Sequence, residues 1–331
     1  MGDLPDSYRA WTWQGDAEPC ALIMETRALG SPGPGEVLVR NVAVGLNPID
    51  WKVLDGRLDW QPGHFPGVDG AGVVVRIGTD VPESWLGHRV AYHQSLTAHG
   101  SYADFVPIHA DVLLDVPDGL DLEIAASVPC PALTAWLALA KLPELPGASM
   151  LVSGAGGAVG NYLVQLAHRR GWRVTVSCHE RHRERLLSLG AAAWVPGPLA
   201  PGEAWAGQAW AGERFTAVIN SVRGEHAARL APALRANGHL VCIQDRIETW
   251  PDPPFTRSVS LHEVALGAMH AYGDAEDWAR LTEVGAALLA DIAAGRLQPE
   301  PLVEGTFGTL PDHLDALRNR NFSGKPIVRL P

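Results

Sequence analysis

The stretch that decides the fold reads Met150-Leu-Val-Ser-Gly-Ala-Gly-Gly-Ala-Val-Gly160, an apolar run that leads into a glycine-rich turn. A helical pattern follows the turn, and a second strand-like run occupies Val174–Ser177. This order of strand, turn, helix and strand is a βαβ unit whose helix N-terminus can bind a pyrophosphate. Gly157 would let the backbone approach that group, and Gly160 would let the helix pack close to the strand. The pattern predicts dinucleotide binding, although a crossover turn of another α/β protein would be similar.

The alternation of strand and helix extends over residues 128–266 and predicts a doubly wound parallel sheet, the Rossmann arrangement. Its predicted strands are Met150–Ser153, Val174–Ser177, Trp194–Val195, Ala217–Asn220 and His239–Ile243. Its predicted helices are Leu133–Leu142, Val159–Arg170, Arg181–Leu189 and Glu225–Leu234. The glycine turn follows the first of these strands, where such sheets bind their ligands.

Residues 1–127 have a different pattern, in which short apolar runs are separated by proline and glycine, and this predicts a compact β-barrel with long loops. The clearest runs are Val37–Val44, Gly70–Ile77, Arg89–Tyr92 and Tyr102–Val106. After residue 267, a long helix at Ala275–Ala294 precedes strand-like runs at Leu302–Phe307 and Pro326–Leu330, which could rejoin the barrel. The sequence therefore predicts an α/β chain of two domains, residues 1–127 with 267–331, and residues 128–266 inserted between them.

The composition argues against several classes of function. The 331 residues carry a formal net charge of −11 without a basic stripe, which argues against a nucleic-acid partner. No apolar run reaches about 18 residues and the first residues lack a cationic start, so we expect neither a membrane span nor a signal peptide. The cysteines lie far apart without a CxxC pair, which favours reduced thiols in a cytoplasmic protein and excludes a four-cysteine zinc lobe. They are Cys20, Cys130, Cys178 and Cys242.

Five landmarks follow one another along the chain. They are Gly45-Leu-Asn-Pro-Ile-Asp-Trp-Lys52, Phe65-Pro-Gly-Val-Asp-Gly-Ala-Gly72, Pro131-Ala-Leu-Thr-Ala-Trp136, the Gly154–Gly160 turn and Gly324-Lys-Pro-Ile-Val328. In this order and at this spacing, the chain resembles the medium-chain dehydrogenase/reductase superfamily and, within it, the zinc-free quinone and enone oxidoreductase branch. The resemblance covers nearly the whole chain. It implies a GroES-like β-barrel catalytic domain, a Rossmann domain and an active-site cleft between them.

Zinc-dependent members of that superfamily hold a catalytic metal with cysteine, histidine and cysteine, which must converge to within about 2.0–2.3 Å of the ion. The resemblance places Asn47, Val68 and Cys130 at these three positions. Because valine cannot bind a metal, the sequence predicts no metal site. Cys130 would then be a relic of the site, a small buried thiol or a reactive residue near the cofactor.

The dinucleotide that the sequence favours is NADPH. Enzymes that use NAD place an acidic residue at the end of the second strand to bind the ribose 2′-hydroxyl, whereas Ser177 and Cys178 stand there. Arg181 and Arg183 follow, and a 2′-phosphate prefers a hydroxyl donor and a guanidinium nearby. Both arginines could instead form the solvated face of a helix. Glu180 opposes the interpretation, since its carboxylate would repel a phosphate unless it points away.

The chemistry follows from the missing metal. Alcohol oxidation would lack the cation that stabilises an alkoxide, whereas reduction of a quinone or an α,β-unsaturated carbonyl needs only a donor to the carbonyl oxygen. In similar proteins the loop that corresponds to Asn47–Lys52 faces the cofactor. Lys52 could donate directly and Asn47 could donate through its amide, while Asp50 would orient the loop or Lys52. Lys52 could equally be a surface lysine.

Further cofactor contacts are predicted in three places. In the glycine turn they are Gly154, Gly156, Gly157, Ala158, Val159 and Gly160. The resemblance adds Thr134 near the nicotinamide, and the carboxyl ends of later strands add Asn220 and Ile243. Val241–Ile243 could also reach an exposed sheet edge that pairs with a second subunit, as in similar proteins, so a homodimer through the Rossmann-domain sheet edge is expected.

The leading hypothesis is therefore a zinc-independent, NADPH-dependent oxidoreductase that transfers hydride to quinones or α,β-unsaturated carbonyls. Two alternatives belong to other classes. One is a dehydrogenase of simple alcohols that retains or recruits a metal. The other is an NADPH-binding protein without turnover, of the kind found among lens crystallins. The sequence leaves the substrate within the class open.

Overall fold

The structure, a computed structural model, describes residues 4–205, 212–320 and 323–331. The chain divides into two units, one formed by Met1–Cys130 with Gly267–Pro331 and the other by Pro131–Leu266. Within the described ranges, no helix combines the length and the apolar composition needed to cross a membrane.

The strands of the described residues follow in chain order. They are β1 (Ser7–Thr12), β2 (Ile23–Ala28), β3 (Glu36–Gly45), β4 (Asp69–Ile77), β5 (Arg89–His93), β6 (Phe105–His109), β7 (Leu113–Asp115), β8 (Ser149–Ser153), β9 (Arg173–Cys178), β10 (Ala193–Pro196), β11 (Phe215–Asn220), β12 (Leu234–Cys242), β13 (Ser260–Glu263), β14 (Leu302–Thr306) and β15 (Lys325–Arg329).

The helices of the same ranges are mostly short. They are α1 (Pro48–Lys52), α2 (Leu122–Ala126), α3 (Pro129–Ala140), α4 (Ala158–Arg169), α5 (Arg183–Ser188), α6 (Gly224–Leu230), α7 (Ala268–Tyr272), α8 (Ala275–Ala293) and α9 (Leu310–Asn319).

The second unit contains the predicted parallel sheet. Its strands lie in the order β10-β9-β8-β11-β12-β13, and every neighbouring pair is parallel. Numbered within the unit, this is the order 3-2-1-4-5-6 of the Rossmann fold. The strand order reverses between β8 and β11, and the glycine turn follows β8 directly. The predicted α/β class and Rossmann arrangement are confirmed.

The core of this unit lies on the strands. All five residues of β8 are buried, and Leu151, Val218 and Leu240 pack in one apolar cluster with Leu230 of α6. Strands that are covered on both faces lose the alternation of polar and apolar residues. This explains why the apolar run at Met150 was recognisable as a strand.

The first unit is built on a mainly antiparallel sheet. Its strands lie in the order β14-β15-β3-β4-β5-β7, with β6 also paired to β3, and β14 with β15 is the parallel pair. β15, which follows the second unit in sequence, therefore lies inside this sheet. At one end of the sheet, Gly45 closes β3 opposite Asp69, the first residue of β4, and Ile327 of β15 lies on the other side of Gly45. The end of β3, the start of β4 and the middle of β15 thus lie side by side.

The predicted position of the exposed sheet edge is wrong. β12 is covered on both sides, because Val241 pairs with Ile219 of β11 and with His262 of β13. The described sheet has two edge strands, β10 and β13. The edge beside β12 is β13 (Ser260–Glu263), whose sequence Ser-Leu-His-Glu lacks the apolar run that marks the inner strands. A dimer through this sheet edge would pair β13 rather than Val241–Ile243.

Several element boundaries also differ from the prediction, and two of these differences have a clear local reason. The helix predicted at Glu225–Leu234 ends at Leu230, because Pro232 has no N–H for the helix ladder, and β12 begins at Leu234. The strand predicted at Tyr102–Val106 begins at Phe105, since Ala103 forms an isolated bridge with Ala10 instead.

Candidate functional site

The glycine turn contains two glycines with opposite surroundings. Gly157 is the N-cap of α4 in extended conformation, and a Cβ built on it would meet no described atom within 4 Å. A Cβ on Gly160 would lie 2.1 Å from the carbonyl oxygen of Ala155. Gly160 therefore allows α4 to pack against the turn, while Gly157 borders open space at the helix N-terminus. Binding of a dinucleotide at these two glycines remains a prediction.

Two buried hydroxyls flank this turn. Ser153 ends β8 and Ser221 follows β11, and the backbone N–H of Ser221 donates to the carbonyl oxygen of Ser153 at 3.0 Å. Neither hydroxyl has a hydrogen-bond partner within residues 4–205, 212–320 and 323–331. A buried hydroxyl without a partner costs free energy. Together with the open space at Gly157, these hydroxyls fit a polar group bound on the turn.

The amide groups of the turn also fit an anion. The first turn of a helix leaves its N–H groups without intrahelical acceptors and carries the positive end of the helix dipole. Ala158 and Val159 occupy that position in α4 and are half-buried, whereas Gly160 is buried. Gly154, with a φ of +76°, has the left-handed conformation that glycine adopts without strain. The turn can therefore bind the pyrophosphate of a dinucleotide.

Ser177 and Cys178 have little exposed surface. Their exposed fractions are 3% and 2%, and burial raises the pKa of the Cys178 thiol. The carbonyl oxygen of Ser177 accepts the backbone N–H of Gly154 at 2.9 Å. In this structure Ser177 thus fixes the start of the glycine turn, and its predicted contact with a ribose remains a prediction.

The basic residues after β9 form an open, charged surface. Arg181 and Arg183 are exposed and line a cavity of about 680 Å³ together with His179, Glu180, Glu184 and Leu187. Glu180 lines the same cavity, so the carboxylate that opposes phosphate binding is present there. The Arg183 guanidinium lies 5.3 Å from the ring centre of Trp194. The contacts of Arg181 and Arg183 with a 2′-phosphate remain predictions.

His182 is a residue that the predicted site omits. Its ring packs on the glycine turn, where a Cβ on Gly156 would lie 2.5 Å from the ring, and its Nε2 accepts from Nε of Arg181 at 3.0 Å. Burial, with Arg181 and Arg185 nearby, lowers the pKa of His182 to about 4. A neutral imidazole thus connects the turn to Arg181. In the sequence, only its position between Arg181 and Arg183, two predicted site residues, could have indicated a role for His182.

Of the remaining predicted cofactor residues, Asn220 and Thr134 are buried and Ile243 is half-buried. Asn220 is fully buried; its amide donates to the Arg223 carbonyl at 2.9 Å, and its Oδ1 lies 2.7 Å from Nδ1 of His226. Ile243 donates its N–H to the Asn220 carbonyl oxygen at 3.0 Å. Thr134 is the sixth residue of α3, so it is not a helix-capping hydroxyl. Their cofactor contacts remain predictions.

In the first unit, Asp50 organises the predicted catalytic loop. Its carboxylate accepts the backbone N–H of Asn47 at 2.7 Å and that of Val68 at 3.2 Å. Asp50 is fully buried. It therefore joins the start of α1 to the segment before β4. The predicted role of Asp50 in orienting Lys52 remains a prediction.

The Asn47 side chain is fully engaged inside the protein. Its Nδ2 donates to Asp69 Oδ2 at 2.9 Å and to the Gly45 carbonyl oxygen at 3.4 Å, and its Oδ1 accepts from Lys325 Nζ at 2.6 Å. Its exposed fraction is 3%. The prediction that Asn47 donates to a substrate oxygen is therefore not supported here, because both amide hydrogens already have acceptors.

Lys52 is the last residue of α1 and is half-buried. Its ammonium lies 5.7 Å from the centre of the Trp51 ring, within the range of a cation–π contact. Of the three predicted catalytic residues, Lys52 is the least buried. Its contact with a substrate oxygen remains a prediction.

Asp69 connects the loop to α3. Besides Asn47, it accepts the backbone N–H of Cys130, with both carboxylate oxygens at 3.0 and 3.1 Å. Cys130 lies in the first turn of α3, where a carboxylate is favoured by the helix dipole. Asp69 and Lys325 were not predicted as site residues. The positions that match zinc ligands thus surround a carboxylate and an ammonium, and the described residues contain no group of three His, Cys, Asp or Glu residues able to hold a metal ion.

The two buried carboxylates give a prediction of pH dependence. Burial raises the pKa of Asp50 to about 7 and that of Asp69 to about 6. Because the unfolded value is near 3.8, the folded chain binds more protons between about pH 4 and about pH 7. The contribution of Asp50 to the free energy of unfolding therefore falls as the pH rises through this window and is constant above it.

Asp50→Asn removes this titration. We expect the stability of the natural chain relative to Asp50→Asn, measured by urea unfolding, to decline from about pH 4 to about pH 7. The comparison with the variant cancels the titration of the histidines, whose buried members oppose this trend. A relative stability that rises with pH would contradict the assignment.

Comparison with known proteins agrees with this architecture. Residues 33–118 match the alcohol dehydrogenase GroES-like domain family. The chain is 31% identical over 223 residues to the chloroplast envelope quinone oxidoreductase homolog of Arabidopsis thaliana, an alignment that covers 64% of the chain and 67% of that relative. The chain belongs to the medium-chain dehydrogenase/reductase superfamily, in its quinone oxidoreductase-like branch.

Other members of this superfamily are similar over different lengths. The chain spans about half, 52%, of the chloroplastic quinone-oxidoreductase QR1 of Triphysaria versicolor, with 49% of the chain aligned at 34% identity. It is 28% identical to the trans-enoyl reductase opdC of Penicillium oxalicum, over 99% of the chain and 98% of the relative. A crystal structure of an alcohol dehydrogenase superfamily protein from Novosphingobium aromaticivorans matches with a TM-score of 0.85 and 25% identity, over 98% of the chain and 100% of that protein.

Proposed function

We propose that this medium-chain dehydrogenase/reductase is a metal-independent reductase of quinones or α,β-unsaturated carbonyls that uses NADPH in preference to NADH. The observation that carries the proposal is the set of contacts around Asn47. At the positions of the zinc ligands stand an amide, a valine and Cys130, and the amide oxygen accepts from a buried ammonium, Lys325, at 2.6 Å. A second cation beside this ammonium would be repelled.

In this proposal, residues of the second unit bind the cofactor and residues of the first unit bind the acceptor. In the second unit, the first-turn amides of α4 bind the pyrophosphate, while Arg181, held by His182, binds the 2′-phosphate. The dinucleotide, when bound, supplies the hydride. In the first unit, Lys52 donates a hydrogen bond to the acceptor's carbonyl oxygen, where negative charge develops as the hydride adds. Asp50 and Asn47 hold the loop that carries Lys52.

The relatives support the reaction class. Two of them are quinone oxidoreductases by name and a third is a trans-enoyl reductase. Quinones and conjugated enones share a carbonyl oxygen that becomes negatively charged when hydride adds to the conjugated system. One hydrogen-bond donor can therefore serve both acceptors. We also propose that the protein forms a homodimer through the edge strand β13, whose backbone groups on one side face no other strand of the described sheet.

The test is a panel of acceptors under defined metal content. We expect the purified protein to oxidise NADPH faster than NADH with small quinones or enones, to show no activity on simple alcohols, and to remain active after treatment with a chelator. Loss of activity on chelation, restored by zinc, would overturn the proposal in favour of an alcohol dehydrogenase. Tight NADPH binding without turnover of any acceptor would favour a non-catalytic binding protein.

Arg181→Ala tests the cofactor preference, and Arg173→Ala is its matched control. The variant should raise the KM for NADPH and leave the KM for NADH nearly unchanged, because only NADPH carries the 2′-phosphate. Arg173→Ala, at the exposed start of β9, removes the same charge at the other end of the strand and should leave both constants unchanged.

A further inference from the structure

Lys325 has an unusual environment for its residue type. The sequence contains three lysines, Lys52, Lys141 and Lys325, and its other side-chain cations at neutral pH are arginines. Lys141 is exposed and Lys52 is half-buried, whereas the exposed fraction of Lys325 is 3%. Removing an ammonium ion from water is costly unless it is paired and hydrogen-bonded. The burial of the Lys325 ammonium therefore has to be explained by its partners.

Its partners are a neutral amide and a carboxylate. Lys325 Nζ donates to Asn47 Oδ1 at 2.6 Å and lies 3.6 Å from Asp69 Oδ2. The short contact is the one to the amide, so the strongest hydrogen bond of the ammonium goes to Asn47. Asp69 in turn accepts from the Asn47 amide at 2.9 Å. The three side chains form a closed triangle in which each one holds the other two.

The ammonium is held in place by backbone as well as side-chain contacts. Lys325 is the first residue of β15, and its own N–H donates to the Pro301 carbonyl oxygen at 2.9 Å. β15 lies between β14 and β3 inside the sheet. The ammonium therefore projects from a fixed strand onto the residue that starts α1.

Lys325 contacts the predicted catalytic loop through Asn47. Asn47 is the N-cap of α1, and α1 ends at Lys52. Rotation of the Asn47 side chain would break its bonds to Lys325 and Asp69 together. Since α1 has only five residues, a change at its N-cap would alter the direction of the whole helix and the position of Lys52.

We propose that Lys325 is a positioning residue for the acceptor half of the reaction: its buried ammonium fixes the Asn47 side chain and thereby the orientation of the segment Asn47–Lys52. The inference rests on the proposed function. It assigns to a lysine of the last strand the anchoring of a loop that, in zinc-dependent relatives, carries a metal ligand. Lys325 itself does not contact the acceptor in this account.

A purely structural role makes a different prediction. If Lys325 only stabilised the fold, a folded variant would keep the turnover number of the natural protein. If it positions the loop, turnover falls even when the protein is folded, because small displacements of a reacting group cost large factors in rate. Binding of NADPH, which we assign to the second unit, should not change in either case.

The experiment compares Lys325→Met, Lys325→Arg and the double variant Lys325→Met/Asp69→Asn, with Lys141→Met as the control for loss of an exposed lysine. The double variant removes the ammonium and the carboxylate together, so it keeps the charge balance if Lys325→Met alone fails to fold. For each folded variant we would measure kcat and KM for the acceptor, the Kd for NADPH, and hydrogen exchange of the peptide that contains residues 47–52.

We expect Lys325→Met, or the double variant in its place, to lower kcat by about tenfold or more, with an unchanged Kd for NADPH and faster exchange in residues 47–52. The kcat of Lys325→Arg should lie between those of Lys325→Met and the natural protein, and Lys141→Met should behave like the natural protein. Normal kcat and normal exchange in the folded double variant would overturn the proposal. If the natural protein reduces no acceptor, the proposed function fails, and the exchange of residues 47–52 still decides whether Lys325 positions the loop.

Discussion

Gly157→Asp is expected to abolish most of the dinucleotide binding without harming the fold. A side chain at residue 157 would enter open space, since no described atom lies within 4 Å of its Cβ position. Residue 157 is also the N-cap of α4 in extended conformation, where aspartate is favoured over glycine by a few tenths of a kcal/mol, so stability should stay level or rise slightly.

Whereas the stability of Gly157→Asp should be maintained, its affinity for NADPH should fall. The new carboxylate would accept the first-turn amides of α4, the groups that we assign to the pyrophosphate, and would also repel the phosphates. We expect the Kd for NADPH to rise by about 100-fold, which corresponds to about 2.7 kcal/mol. The measurement is a titration of nucleotide fluorescence, run beside a thermal melt of the same sample.

Two companion variants separate charge from shape. Gly157→Asn has nearly the same size and the same capping ability but no charge, so it should weaken binding less than Gly157→Asp. Gly160→Ala would place its Cβ 2.1 Å from the Ala155 carbonyl oxygen, so stability and binding should fall together. If folded Gly157→Asp binds NADPH as tightly as the natural protein, the dinucleotide does not lie on this turn.

Asp69→Ala is expected to cause the largest loss of stability among single changes in the first unit. The substitution removes the acceptor of the Asn47 amide and of the Cys130 N–H, and it takes away the carboxylate that pairs with the buried Lys325 ammonium at 3.6 Å. Breaking a buried ion pair on one side costs about 3–5 kcal/mol. We expect a loss of this size in urea unfolding followed by circular dichroism.

The matched control is Asp55→Ala. Asp55 pairs with Arg57 on the surface, and water screens an exposed pair, so its loss should change stability little. Asp69→Asn, which keeps an oxygen for the Cys130 N–H, should lose less than Asp69→Ala. A cost for Asp69→Ala below about 1 kcal/mol would show that Lys325 finds another partner or water.

The features that could be predicted from the sequence are those whose residues lie close together along the chain. The glycine turn, its strand and its helix are contiguous, so local pattern was sufficient for the Rossmann order. The edge strand β13 was missed because its four residues carry no apolar run. Asp50 lies three residues from Asn47, whose N–H it accepts, and that local relation was within reach of sequence reasoning.

The centre of the candidate site was not predictable in the same way. Lys325 and Asn47 are 278 residues apart, and no periodicity connects the end of one strand with the start of a short helix so far away. The amide of Asn47 was expected to face a substrate because the corresponding loop faces the cofactor in similar proteins. The Asn47 side chain instead lies inside the protein, because its amide can accept a hydrogen bond from the Lys325 ammonium and donate one to the Asp69 carboxylate.

The same separation has a consequence for the order in which the chain is assembled during synthesis. β15 belongs to the sheet of the first unit but follows Pro131–Leu266 in sequence. The second unit is contiguous, so its contacts can form while the ribosome is still translating. The polar triangle at Asn47 must wait until Lys325 has left the exit tunnel, and until then Asp69 has no ammonium partner. Long-range closure of this kind is slow, so the folding of the first unit depends on the synthesis of β15, which comes after the whole second unit.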